Sequence, residues 1–320
     1  MKDDLPYFAE LLAEVISKTR YTTHELDEEV MHIMKLDQKG LLASPLNLAI
    51  NSVHGVAFHH GLGTPTNATS SSPFKKYLDA QAIADFADAA YARKNIAVVA
   101  NGANHQDLAK WVKEFFQDTK TASSVYSIKN EATKYFGGEE RIAHASGNVM
   151  ILAFPGSSSF TSGKSFKPEI QVLAALLGGE SSIKWSPGFS LLSKAASDFP
   201  LAHVSTVNQS YTDTGLLTVT ITGKSNDIAK ASKAVVDALK SVASGNVSEE
   251  DITKATALAK FRALEAGQQT RAGLEATGMG LISNKQPYQI DQLGQKIGQV
   301  TADQVKSVSP NHKRICGTKR

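Results

Sequence analysis

Residues 211 to 222 read Tyr-Thr-Asp-Thr-Gly-Leu-Leu-Thr-Val-Thr-Ile-Thr, so Leu217, Val219 and Ile221 alternate with Thr218, Thr220 and Thr222. A period of two predicts a strand with one dry and one hydroxylated face. Beyond Gly223 the period lengthens. Ile228, Ala231, Val235, Ala238, Leu239 and Val242 recur at helical spacing, which predicts a helix laying one apolar stripe on a neighbour. Gly245-Asn246 stops that helix, and Ser248 with Asp251 forms a capping box for the next, with Val247 and Ile252 as its hydrophobic staple.

The same device occurs near the start of the chain. At an offset of 226, Tyr21, Thr22, Glu25 and Leu26 repeat staple, cap, box and staple. A later cap repeats at an offset of 222, with Leu78, Asp79 and Ile83 matching Val300, Thr301 and Val305, and Pro65 matching Pro287. Two nearby offsets predict a tandem duplication with a small loop difference. Caps of this kind also recur by chance in helical proteins, and both readings stand at this point. On the duplication reading, the first copy lacks its front half. The second lacks its last strand, because the counterpart of Ile96–Ala100 would fall on the polar, basic Lys313-Arg-Ile-Cys-Gly-Thr-Lys-Arg320.

In order, residues 1–38 predict two helices joined at Tyr21-Thr22, and Ser44-Pro45 opens a helix to Phe58. Residues 61–73 are a polar loop, Asp79 caps a helix to Ala92, Ile96–Ala100 is a strand, and Gln106–Phe116 is a helix. Val149–Phe154 is a strand, Pro168–Leu177 and Gly188–Ala196 are helices, and His203–Thr222 is strand. Three helices follow over Asp227–Leu281, then one or two over Asp291–Lys306. The expected class is α+β, as two homologous units of mostly antiparallel sheet with helices on one face, the first unit incomplete. Residues 1–118 form the first unit, 119–138 a Ser-, Thr- and Lys-rich linker, and 139–320 the second unit.

Composition narrows the class further. Among 320 residues, 42% are hydrophobic and the mean hydropathy is −0.20, which suits a globular chain of two domains. No run approaches 18 consecutive apolar residues; Val149-Met-Ile-Leu-Ala-Phe154 is strand length. The net charge of +3 is dispersed, so no nucleic-acid partner is expected. Cys316 alone forbids an internal disulfide, and Met1-Lys2-Asp3-Asp4 does not open like a targeting peptide.

Candidate chemistry is sparse. Gly156 to Ser165 follows a strand and ends in Gly-Lys-Ser, but six residues separate Gly156 from Gly163 where a phosphate loop has four, and Pro168 delays the helix. A plain loop is expected. His24, Glu28 and His32 stand four apart, yet Glu28 occupies the place where a His-Glu-x-x-His zinc helix needs its second histidine, so a solvated face is expected. His59-His60 suits a helix C-terminus, and Gly178-Gly179 a C-cap. Tyr211 and Asp213 fit a turn, no Gly-x-Ser-x-Gly elbow occurs, and Cys316 has only His312 nearby. No catalytic, cofactor-binding or metal-binding residue is expected, and no cofactor.

Leu5-Pro-Tyr-Phe8, Leu78-Asp-Ala-Gln-Ala-Ile83 with Phe86, Tyr91 and Asn95, Gln171-Val-Leu173 with Leu176-Leu-Gly-Gly179, and above all Asn208-Gln-Ser-Tyr-Thr-Asp-Thr-Gly-Leu216 resemble the insulinase-like zinc peptidases. Within them the resemblance is to the branch of mitochondrial processing peptidase and the ubiquinol-cytochrome c reductase core subunits, over residues 2 to 306. It implies a zinc motif ahead of Met1 and a distal acid near Ile33-Met34-Lys35-Leu36, where only Asp37 stands close. The helix Pro168–Leu177, counterpart of the motif's helix in the second copy, has no histidine. The resemblance therefore implies a scaffold without enzymatic activity, peripheral to the mitochondrial inner membrane on its matrix side. Its implied partners are a homologous core subunit one and other subunits of that reductase complex, with membrane contact indirect. A non-catalytic alpha-type subunit of a processing peptidase is the alternative.

Overall fold

The computed structural model describes residues 4–65, 79–122, 128, 131–162, 165–179 and 188–308. Along the chain, α1 is Leu5–Ser17 and α2 is Thr23–Glu25, which passes through a π turn, Leu26–Val30, into α3, Met31–Ala43. Next come α4 Pro45–Phe58, α5 Ala80–Ala90, α6 His105–Phe115, β1 Asn148–Pro155, α7 Pro168–Leu177 and α8 Leu191–Ala196. The chain continues with β2 Ala202–Ser210, β3 Gly215–Gly223, α9 Ser225–Ala243, α10 Glu249–Gln268, α11 Thr270–Asn284, α12 Ile290–Gly298 and α13 Ala302–Val308.

These elements gather into two compact units, and neither is a continuous stretch. The first takes Met1–Gly40, Asn67–Ala132 and Thr270–Tyr288; the second takes Leu41–Thr66, Thr133–Gln269 and Gln289–Arg320. Helix α4 therefore lies with the sequence's second half, and α11 with its first, where the sequence reading divides the chain between 118 and 139. The stretch expected as a free linker is tied down from Thr133 onward. Phe136 donates its N–H to Ala57 O at 2.8 Å, and the Tyr135 ring stands edge-on to Phe58 with centroids 6.4 Å apart. The Tyr135 ring has apolar area to bury against Ala57 and Phe58, and the polar composition around it hides that.

The second unit holds the sheet, ordered β1-β3-β2 with both pairings antiparallel. Being central, β3 is satisfied on both edges. Leu217, Val219 and Ile221 are at most 1% exposed and face a layer of helices. The apolar stripe of α9 is buried as the spacing predicts at Ile228, Ala231, Val235, Leu239 and Val242, and α7 contributes Val172, Leu173, Leu176 and Leu177. The hydroxylated face is not wholly wet, because α4 packs across it at β1: Thr218 is buried, and Leu216 packs with Ala57 and Phe58.

In the first unit, α1 packs on α6 and buries Ala9 and Ala13. Asp79 caps α5 by accepting Ala82 N–H at 2.7 Å, and the Asn95 amide closes its other end by donating to Ala89 O and Ala90 O. Those carbonyls have no partner inside the helix. The strand expected at Ile96–Ala100 is not one. Ile96 has extended angles, φ −105° and ψ 131°, but no ladder forms, since no described strand lies beside it. Among the described residues the sheet is confined to the second unit.

Candidate functional site

Asn208 to Gly215, the stretch the sequence singles out, is the end of β2, a turn and the start of β3. Asn208 behaves as a strand partner made from a side chain. Its Oδ1 accepts Ser157 N–H at 3.0 Å, while its Nδ2 donates to Ser157 O at 3.2 Å and to Ser210 Oγ at 2.8 Å. Gly156 N–H donates to Gly215 O at 2.8 Å. The two backbones meet too closely for side chains. A Cβ at Gly215 would stand 2.1 Å from Ser157 O, and one at Gly156 would stand 2.3 Å from Asn208 Oδ1. Glycine is needed here for close approach of main chain to main chain.

Tyr211 closes the turn by donating its N–H to Thr214 O at 2.9 Å, and its carbonyl accepts Ser159 N–H at 2.7 Å. Its ring stands edge-on to Phe58, which is 1% exposed, and to His54. His54 Nδ1 lies 2.7 Å from Ile50 O, and a carbonyl can only accept, so Nδ1 carries the hydrogen. In the neutral ring Nε2 then accepts the phenol hydrogen of Tyr211, 2.6 Å away. Burial raises the Tyr211 phenol above its ordinary value. Asp213 Oδ2 accepts Thr133 N–H at 2.7 Å. Apart from the Asn208–Ser210 and Tyr211–Thr214 bonds, which close the motif on itself, the polar contacts named here hold other segments in place.

Beside it, a groove of about 370 Å³ runs along the hydroxylated face, lined by Leu46, Ile50, Thr218, Thr220, Thr222 and Arg262 among others. Neither His54 nor Tyr211 lines it.

The other candidates are scattered. In the phosphate-loop lookalike, Gly163 and Lys164 lie outside the described residues. The N–H groups of Gly156, Ser157, Ser159, Thr161 and Ser162 all go to protein acceptors. Amides so engaged cannot cradle a phosphate. His24 Nδ1 sits 3.2 Å from Glu28 Oε1 on an exposed face, but the π turn inserts an extra residue and breaks the step of four towards His32. Among the described residues no three His, Cys, Asp or Glu side chains gather as metal ligands. Asp37 is exposed on α3.

His59 ends α4 with φ 60°, its ring edge-on to Phe136 at 4.6 Å. Gly178, with φ +58°, donates its N–H to Ala174 O and caps α7, while Gly179 lets β2 pass where a Cβ would stand 2.2 Å from Val204 O. Cys316 lies outside the described residues. His54, Phe58 and Tyr135 are what sequence reasoning passes over. The only signal is that His54 and Phe58 stand four apart on one helix, sharing a face.

Comparison with known proteins gives this geometry a family. The chain is 43% identical over 309 residues to cytochrome b-c1 complex subunit 2, mitochondrial, of Neurospora crassa, covering 97% of this chain and 66% of that protein. It is 33% identical over 284 residues to the protein of the same name from Yarrowia lipolytica, covering 88% of this chain and 64% of that one. The chain thus spans just under two thirds of these relatives' length. A solved chain of Complex III2 from Candida albicans, Inz-5 bound, superimposes with a TM-score of 0.78 at 16% identity, over 96% of this chain and 73% of that chain, a likeness of fold. Residues 77–258, more than half of the chain, match the family described as peptidase M16 inactive domain. On that match the chain belongs to the peptidase M16 inactive-domain family.

Proposed function

We propose that the chain is a non-catalytic structural core subunit of the mitochondrial ubiquinol-cytochrome c reductase complex, needed for its assembly and stability. It takes the place of core subunit two beside a homologous core subunit one and other subunits of the complex. The observation that carries this reading is the 43% identity to the Neurospora crassa subunit across 97% of the chain. Two features of the chain support it. The motif at Asn208–Gly215 is built to brace segments, and α7 presents a continuous apolar run with no histidine. On this reading the chain sits peripherally on the matrix side of the inner membrane, held there by other subunits; no single described helix is long and apolar enough to cross a membrane.

The test is replacement. In a Neurospora crassa strain lacking its own subunit 2, the tagged chain should migrate with the reductase on native gels, restore its assembly, and leave the membrane in alkaline carbonate. Migration apart from the reductase overturns the reading. Purified chain should hold less than stoichiometric zinc; one zinc per chain, or presequence cleavage when it is paired with a catalytic processing-peptidase subunit, favours a peptidase instead.

A further inference from the structure

The Tyr211 hydroxyl carries one hydrogen and faces two acceptors. His54 Nε2 stands 2.6 Å from its oxygen and Gln209 Oε1 stands 3.3 Å away, all within the second unit. While the His54 ring is neutral, the hydrogen goes to the shorter contact and Gln209 receives none from it. Charging the ring adds a hydrogen at Nε2, because Nδ1 already donates to Ile50 O at 2.7 Å. Two hydrogens would then point at each other unless the hydroxyl turned. Gln209 Oε1 lets it turn: the Tyr211 oxygen accepts from Nε2, and its own hydrogen swings to Gln209.

The other acids and bases around this pair are engaged or distant. Helix α4 has none besides His54, and β1 and β3 have none at all. The β2–β3 turn brings Asp213, which Thr133 N–H holds, and β2 brings His203 at its far end. From the segment packed on α4 come Tyr135, whose hydroxyl donates to Ala153 O at 3.1 Å, Lys134 over the Phe136 ring, and Glu140, which accepts from Ser52 Oγ. Further along it Glu139 pairs with Arg141, and His144 meets Leu42 O before α4 begins. The rings nearest His54 are those of Tyr211 and Phe58, with centroids 5.9 and 6.2 Å away. A hydroxyl hydrogen left without an acceptor among such rings is costly.

We propose that the Tyr211 hydroxyl is a two-position switch thrown by the charge of His54, with Gln209 as its second acceptor. Helix α4 thereby stays fastened to the β2–β3 turn whether or not the histidine carries the extra proton. The switch also has an outlet. Gln209 lines the groove on the hydroxylated face, whereas His54 and Tyr211 do not. The groove therefore meets a Gln209 carbonyl without the Tyr211 hydrogen while His54 is neutral, and one engaged by it once His54 is charged. The role in the reductase plays no part in this argument, so either can fail alone.

The experiment compares the chain with its Gln209→Leu variant in urea at pH 8 and pH 5, on either side of the ordinary histidine value of about 6.5. At pH 8 the substitution removes an acceptor not in use; at pH 5 it strands the hydroxyl hydrogen. With its charged ring disfavoured, the folded variant binds fewer protons than its unfolded chain, so it loses stability as pH falls. The folding equilibrium constant should drop about three- to tenfold more at pH 5 than at pH 8. In a Tyr211→Phe background, with no hydrogen to turn, the same substitution should cost equally at both. Equal costs with Tyr211 present overturn the proposal, and so does a difference that survives Tyr211→Phe. Where a variant fails to fold, the imidazole nitrogen resonances of the unsubstituted chain decide. Hydrogen on Nδ1 alone is expected at pH 8, and on both nitrogens at pH 5 with the Tyr211 ring still against them. Hydrogen on Nε2 at pH 8, a bare Nε2 at pH 5, or departure of the Tyr211 ring overturns the proposal.

Discussion

Replacing Asn208 by Ala removes the side chain that serves both the N–H and the C=O of Ser157, which is itself fully buried. Leaving two buried main-chain groups unmatched is expected to cost about 1–3 kcal/mol each, read as a lower urea midpoint with an unchanged slope. Gly215→Ala should be as damaging for the opposite reason, since its Cβ meets backbone that cannot swing aside; about 1–3 kcal/mol is the usual range for overpacking. A pH effect belongs at this scale too. The phenols of Tyr211 and Tyr288 are raised by burial, and that of Tyr21 by burial and then by Tyr91 and Asp88. A folded-state value above the unfolded one means that the folded chain holds these protons more tightly. Their stabilisation is complete below about pH 10 and is lost as pH rises beyond it. Urea midpoints between pH 9 and 11.5 should therefore fall, and Tyr211→Phe should flatten the fall. Of this site the sequence discloses Asn208, Tyr211, Asp213 and Gly215 as a motif, but not their partners. Tyr211 meets His54 across 157 positions, and no local period encodes a contact of that separation.

At the scale of single elements, local chemistry is legible wherever it is self-contained. Both predicted N-caps form, with Asp251 N–H donating to Ser248 Oγ at 3.0 Å and Glu25 N–H to Thr22 Oγ1 at 3.3 Å, while the Asp251 and Glu25 carboxylates accept from the cap hydroxyls and not from the cap N–H groups a full box would use. Ser248→Ala should lower stability by about 1 kcal/mol. The buried side of β3 was equally readable, and Leu217→Ala is expected to cost about 2–5 kcal/mol in the same denaturation measurement, as for other leucines in a closed core. The failure at Ile96–Ala100 has a physical cause: the segment has the right residues for a strand, but a strand exists only by virtue of a neighbour, which its own sequence does not contain. His24, Glu28 and His32 lie on the solvated face expected of them, and only the break in their step of four, at the π turn Leu26–Val30, is invisible to the spacing.

Over the whole molecule, sequence order and spatial order part company. The division into residues 1–118 and 139–320 follows the apparent repeat, whereas compactness follows contacts, and α4 is the clearest instance. Five links bind its stretch of chain to the far half: His54 to Tyr211, Ala57 to Phe136, Ser52 to Glu140, and Leu42 and Ala43 to His144 and Ser146. A family match over residues 77–258 gives no hint of this, because it begins after α4 has ended.

Anyone wishing to divide the gene would be misled by its linear order. A polypeptide starting at Glu139 would leave Leu216 and the Tyr211 ring bare where Ala57 and Phe58 now cover them. It should come out of expression insoluble, and a peptide spanning residues 41–66, supplied separately, should return it to solution.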